Sequence, residues 1–229
     1  MLKDVEFNIA QPRSAAERVC ENLRESILSR KIEPGERLVE AKIAHAMNVS
    51  ITPVRQAIQT LSTQGLLTVF PYKGTYVTYI TKEYVEDVQY ARLLLEVGAA
   101  KLALPHLTAE DADLMEEICR KGDEAYRNGD IYASVQYDIA MHELPIRKSG
   151  NALLLDMWEI TKSRIQIVQA NTKVGVHPVG YYLERHKPII AAVRARDLDT
   201  LTAALDEHFR TSPIQSGVDF PSESEIEYN

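Results

Sequence analysis

The sequence predicts a mainly α chain: a small N-terminal unit of three helices closed by a β-hairpin, then an antiparallel all-helical bundle. Apolar residues recur at helical spacing through most of its 229 residues. β-rich residues are concentrated in two short runs, LLTVF and TYVTY, close together in the first third. Charge divides at the same place: residues 1–80 hold ten Lys+Arg and eight Asp+Glu, the remainder 16 and 25, so the net −7 combines +2 with −9. Such asymmetry points to two units with different partners.

Each element has a local reason. Residues 15–30 place Ala16, Val19, Leu23, Ile27 and Leu28 on one helical face, and the Pro-Gly turn in IEPGERLVE ends it. Ile43, Ala44, Ala46 and Met47 make a short second helix closed by Asn48. The third starts at Ser50 or Thr52; Thr52 before Pro53 suits the N-cap and first helical positions, because the hydroxyl accepts an orphan N–H and proline has none to satisfy. Val54, Ala57, Ile58 and Leu61 follow as one buried stripe, with Gly65 just past the end. The two β-rich runs then form a hairpin around Pro71-Tyr72-Lys73-Gly74. Six helices are expected beyond it, at 81–104, 108–128, 130–148, 151–173, 179–195 and 197–212, separated by Pro, Gly and Asn. The domain organisation is therefore 1–80, 81–213, and an acidic, aperiodic and mobile tail at 214–229.

No apolar run approaches the roughly 18–20 residues a membrane helix needs. The N-terminus, with early acidic residues and no apolar core, is not a secretory signal. Cys20 and Cys119 read as reduced thiols. These features suit a cytoplasmic protein with no membrane partner.

Helix, turn, helix and hairpin is the layout of a winged helix-turn-helix, which makes double-stranded DNA the expected partner. A helix fits the major groove with its N-terminal residues at base edges. Arg55 lies in the first turns of the third helix, off the apolar stripe, where it can pair with guanine or phosphate. Ser50 and Thr52 offer hydroxyls, Gln56 and Gln59 are further base-contact candidates, and Lys73 and Gly74 occupy the wing tip. The acidic remainder repels phosphate and confines DNA contact to residues 1–80.

The segments LVEAKIAHAMNVSITPVRQAIQTLSTQGLL and KGTYV resemble the winged-helix domain of GntR-type bacterial regulators. The chain departs from that pattern at Ile51, where the family commonly has an arginine that touches DNA, and at Ala41, where some members carry a further one. Two missing cations imply weaker phosphate contact or a different operator.

In the helical domain, Asp138 and His142 are four apart and project from one face, so both can bind one ion. His186 and His208 lie on two later helices. One carboxylate and three imidazoles suit a divalent transition metal such as zinc, nickel or manganese. Histidines on helices are more often solvated than metal-bound, and His45, His106 and His177 are read as bystanders. The stretches ARLLLEVGAAKLA, with Arg92 and Glu96, Ser149-Gly150-Asn151, and ERHKPIIAAVRARDLDTLTAALDEHF, with His186 and His208, resemble the FCD ligand-binding domain of the FadR branch of the GntR family. That resemblance implies a metal at Asp138, His142, His186 and His208, with Met141 where phenylalanine is common. Six helices resemble the VanR-like subgroup.

The resemblance further implies a homodimeric transcription regulator, with repression as the commoner logic, controlled by a small carboxylate beside the metal. Arg92 stands at a family position that faces the cavity and can clamp a carboxylate, or it pairs with Glu96, its neighbour one turn on. Asn171 is a second pocket candidate. A metal sensor, and a metalloenzyme with an appended winged helix, are the alternatives; no general base stands out, since Glu143 adjoins His142 and neighbours on a helix point apart.

Overall fold

A computed structural model describes residues 14–172, 180–211, 220–222 and 226. His177, the expected helix ends at 173, 179 and 212, and most of the tail lie outside these residues. The N-terminal unit comprises α1 (Ala15–Leu28), β1 (Arg37–Leu38), α2 (Glu40–Ala46), α3 (Ile51–Thr63), β2 (Leu67–Phe70) and β3 (Gly74–Val77). The bundle comprises α4 (Lys82–Ala103), α5 (Ala109–Arg127), α6 (Ile131–Lys148), α7 (Ala152–Thr172), α8 (Tyr181–Ala195) and α9 (Leu198–Arg210).

Capping explains most boundaries. Ser14 and Glu17 form a capping box at α1, and Thr108 and Asp111 form another at α5. The ends of α2 and α3 are Schellman motifs. After α2, Asn48 takes a left-handed φ of 52° while Val49 N–H reaches the Ala44 carbonyl. After α3, Gly65 does the same at 79°, with Leu66 N–H on the Leu61 carbonyl. Of the two expected starts of α3, the structure takes the earlier. Ser50 is the N-cap and Pro53 sits third in the helix, which is tolerated because first-turn amides have no helical partner anyway.

The expected hairpin is a three-stranded antiparallel sheet in the order β1-β3-β2. Arg37 pairs with Tyr76 and Leu38 with Thr75, while Phe70 faces Gly74 across the wing. A two-residue edge strand carries no alternation, so the segment before α2 reads in sequence only as a turn.

The apolar stripe of α3, Val54, Ala57, Ile58 and Leu61, is buried with Val19, Leu23, Ile27 and Leu28 of α1. This core does not stop at the domain boundary. It continues through Ile80, Val85 and Val88 to Val135, Ile139, Trp158, Ile165 and Val168 of the bundle. Phe220, within the expected tail, is partly buried against it. A second cluster, built from Leu107, Met115, Met141, Ile189, Val193, Leu201 and Phe209, fills the far side of the bundle.

Leu61 is fully buried. Leu61→Ala is expected to lower stability by about 2–5 kcal/mol in urea denaturation, because the close-packed helices cannot collapse into the space.

Candidate DNA interface and metal centre

The proposed recognition helix buries one face and leaves the other to solvent. Ser50, Thr52, Arg55, Gln56 and Gln59 are all exposed, as is Lys73 at the wing tip. Gly74 has φ of +127°, and a Cβ there would lie 2.9 Å from Arg37 Nε. Glycine thus lets the Arg37 guanidinium lie against the wing. Arg37 is a cation on the DNA-facing unit that sequence reasoning missed, since only the pairing of β1 with β3 brings it there. Tyr72 is also fully exposed at the tip, with φ of 65°. Ile51 is 41% exposed, and Ala41 is exposed too, so the two departures from the family pattern remove cations from the surface itself.

Arg55 is not free in this structure. Its Nε donates to Glu40 Oε2 at 2.8 Å. Both partners are solvated, and exposed pairs of this kind contribute about 0.2–1 kcal/mol. A bidentate contact to guanine discriminates by roughly 1–3 kcal/mol. The contact with Glu40 therefore orients Arg55 without being strong enough to withhold it from DNA.

In the bundle, α6 presents Asp138 and His142 to α8 and α9. His142, His186 and His208 offer ring nitrogens that all lie within 4.8 Å of one another. Asp138 joins them, with Oδ1 3.6 Å from His186 Nε2. The four residues expected from sequence do converge. His186 is held from outside its own helix: α8 begins on Gly180, which cannot cap, and the Asp123 carboxylate of α5 accepts the Tyr182 and Leu183 amides at 3.0 and 3.1 Å. His208 is held by Arg185 of α8, whose guanidinium donates to the carbonyls of His208 and Thr211. Neither device has a local sequence signature.

A second layer of partners sets the tautomers. His142 Nδ1 is 2.6 Å from Glu96 Oε2, and His186 Nδ1 is 2.6 Å from the Tyr182 carbonyl. Both partners can only accept, so both Nδ1 atoms carry the hydrogen. The two Nε2 atoms then face each other at 3.1 Å, lone pair toward lone pair. That apposition is met either by a proton on His142 Nε2 donated to His186 or by a cation held between the two rings. Two nitrogen ligands of one zinc, each about 2.0–2.1 Å from it, stand roughly 3 Å apart. His208 Nδ1 is buried and has no hydrogen-bond partner among the described residues. The donor set therefore fits a borderline transition metal, and a carboxylate behind one ligating imidazole is the usual support for such a site.

Burial lowers the His186 imidazole to about 3, with Asp138 opposing in part. Burial, then the neighbouring His186 and His142, lowers His208 well below its ordinary value. Both rings are neutral near pH 7, as metal ligation requires. Burial alone would raise the Glu96 carboxyl, but His142 and Arg92 outweigh it and hold it low.

Arg92 is buried, and its Nε donates to Glu96 Oε1 at 2.6 Å. Its Nη2 lies 3.7 Å from Asp138 Oδ2 and makes no hydrogen bond among the described residues. Arg92 thus pairs with Glu96 and also borders the cluster. Asn171 donates to the Ile167 carbonyl of its own helix, and among the described residues it bonds none of the four candidate ligands. Gln169, which the sequence did not single out, donates to Asp138 instead. Glu143 accepts from Trp158, Lys162 and Arg147, an environment that holds a carboxylate ionised and occupied.

Comparison with known proteins agrees with both halves. Residues 15–77 match the bacterial regulatory proteins of the gntR family, and residues 87–211 match the FCD domain. The chain is 26% identical over 210 residues to the HTH-type transcriptional repressor RspR of Escherichia coli K12, covering 92% of this chain and 91% of that protein. A GntR regulator from Rhodococcus sp. RHA1 shares the fold with a TM-score of 0.76 at 21% identity, over 90% of this chain and all of that one. The E. coli McbR/YncC structure does so with a TM-score of 0.73 at 23% identity, over 90% and 99%. Among the described residues no helix is long and apolar enough to cross a membrane. The chain belongs to the GntR family of bacterial transcription regulators, with an FCD domain behind its DNA-binding winged helix, and is a regulator rather than an enzyme.

Proposed function

We propose that this chain is a cytoplasmic, homodimeric repressor whose operator affinity is set by a small carboxylate bound beside a divalent metal. The observation that carries the reading is the apposition of His142 and His186 Nε2 with both Nδ1 hydrogens already committed. Asp138, His142, His186 and His208 would hold zinc, nickel or manganese, which supplies a fixed positive charge in the bundle. The charge arithmetic supports an anionic effector. With neutral imidazoles, Arg92, Glu96 and Asp138 leave the buried cluster at −1, and a divalent ion makes it +1. Arg92 Nη2 then offers a buried donor to the incoming carboxylate.

A second copy of the chain is supported by two neighbouring helices with apolar residues in solvent. These are Tyr90 and Leu94 on α4, and Leu153, Met157 and Ile160 on α7, each at 44% exposure or more. Dimerisation would set two recognition helices on the halves of a pseudo-palindromic operator. Ser50, Thr52, Arg55, Gln56, Gln59, Lys73 and Gly74 are the proposed contacts. The six bundle helices suit the VanR-like subgroup. For the effector to act, it must bind the two arrangements of the dimer unequally.

Arg55→Ala is expected to cost about 1–3 kcal/mol of specific binding in a gel shift; full retention would mean that another helix reads the bases. His142→Ala and His186→Ala proteins should each lose bound metal in elemental analysis, and full stoichiometry in either would contradict the site. Gel shifts on the gene's own promoter region, with metal and a panel of small carboxylates, separate the readings. Carboxylate-dependent release supports the proposal, whereas a response to metal alone makes the protein a metal sensor.

A further inference from the structure

Helix α7 touches both the recognition helix and the metal cluster. Halfway along it, Ser163 Oγ accepts from Arg24 Nη1 at 3.0 Å, and Arg24 Nη2 donates to Gln64 Oε1 at 2.5 Å. Gln64 is the C-cap of α3. The next residue, Arg164, reaches the Thr63 carbonyl with Nη2 at 3.5 Å. Its side chain lies so close over Gly65 that a Cβ there would be 2.9 Å from Nε. The Arg24 side chain is only 15% exposed, and Glu21, 3.7 Å from its Nε, accepts from Tyr132 of α6 at 3.0 Å. Three bundle residues therefore hold α1 and the C-terminal end of α3 through polar contacts, partly buried at Ser163 and Tyr132 and exposed at Arg164.

Farther along α7, Gln166 donates to Gln136 Oε1 at 3.0 Å, and Gln169 donates to Asp138, the candidate metal ligand. Six residues separate Ser163 from Gln169, about 9 Å along a helix. Ile165 to Asn171 are buried on every side of the helix. A helix packed all round moves as a body, because close-packed interiors shift between discrete arrangements instead of deforming smoothly.

We infer that Arg24, Ser163 and Arg164 are positioning residues for DNA recognition. They grip the C-terminal end of the recognition helix against α7, and the Gln169–Asp138 contact makes that grip answer to the metal cluster. The second half rests on the metal reading above; the grip itself does not. The continuous apolar core keeps the two units together, while these polar contacts set the orientation of α3.

Hydrogen exchange on the full chain tests both halves without an operator, comparing zinc-loaded and EDTA-treated protein. In the wild type, chelation should change exchange around Asp138 and Gln169 and also at residues 61–67. In Arg164→Ala and the milder Ser163→Ala, exchange at 61–67 should rise by about tenfold, the scale of losing one charge-assisted hydrogen bond. There chelation should still alter the α6–α7 region but no longer 61–67. Unchanged exchange at 61–67 in both variants overturns the grip. A chelation response at 61–67 that survives in both variants overturns the coupling. Wild-type protein that binds no zinc in elemental analysis defeats the metal reading and with it the coupling, and leaves the grip to be judged on the first comparison.

Discussion

Five ionisable side chains, Arg92, Glu96, Asp138, His142 and His186, are buried together in the bundle, and their mutual satisfaction is the constraint around which it is built. Desolvating such groups costs several kcal/mol each, and apolar residues of similar volume would pack at least as stably. The cluster is therefore poor evidence for stability and good evidence for function. It sits where α6 passes between the two apolar clusters, with Ile139 in one and Met141 in the other. Each member is fixed by a partner from another helix or another turn: Glu96 behind His142, Tyr182 behind His186, Gln169 behind Asp138. Arg92 Nη2 and His208 Nδ1 lack a hydrogen-bond partner among the described residues, and His142 and His186 turn their Nε2 atoms toward each other, which is the basis of the proposed metal site.

That arrangement gives the acidic bundle a chemical role distinct from that of the winged helix. The acidic bundle repels phosphate and carries the proposed metal and anion site. The winged helix carries the chain's positive balance and offers Arg55, Lys73 and Arg37 on its outer faces. A shared apolar core joins the two units, so they are not connected by a linker alone. A change of charge at the cluster thus has a packed route to the DNA-reading surface, and α7 is the element that lies on it.

Much of this was readable from sequence because it is local. The stripe of α3, Asn48 and Gly65 as helix ends, and the spacing of Asp138 and His142 all act within a few residues. The missed features act over long separations. Arg37 reaches the wing only through a two-residue strand with no periodicity. Asp123 caps a helix 59 residues away, Glu96 supports a histidine 46 residues away, and Arg24 meets Ser163 across 139 residues. Pro53 suits a first helical position after Thr52, yet proline is acceptable anywhere in the first turn, so local chemistry alone leaves Ser50 and Thr52 both open as the cap.

The sequence by itself determined the winged helix and the helical bundle, the helix boundaries within a few residues, and the candidate DNA contacts and metal ligands. Periodicity, caps and i, i+4 spacing are properties of neighbouring residues, and neighbours are what a sequence displays. Only the tertiary structure decided which partner completes each buried group: that Gln169 and not Asn171 serves Asp138, that Arg92 pairs with Glu96 beside the cluster, and that the bundle grips the recognition helix. A buried polar side chain must find a partner, but its chemistry does not say where in the chain that partner lies.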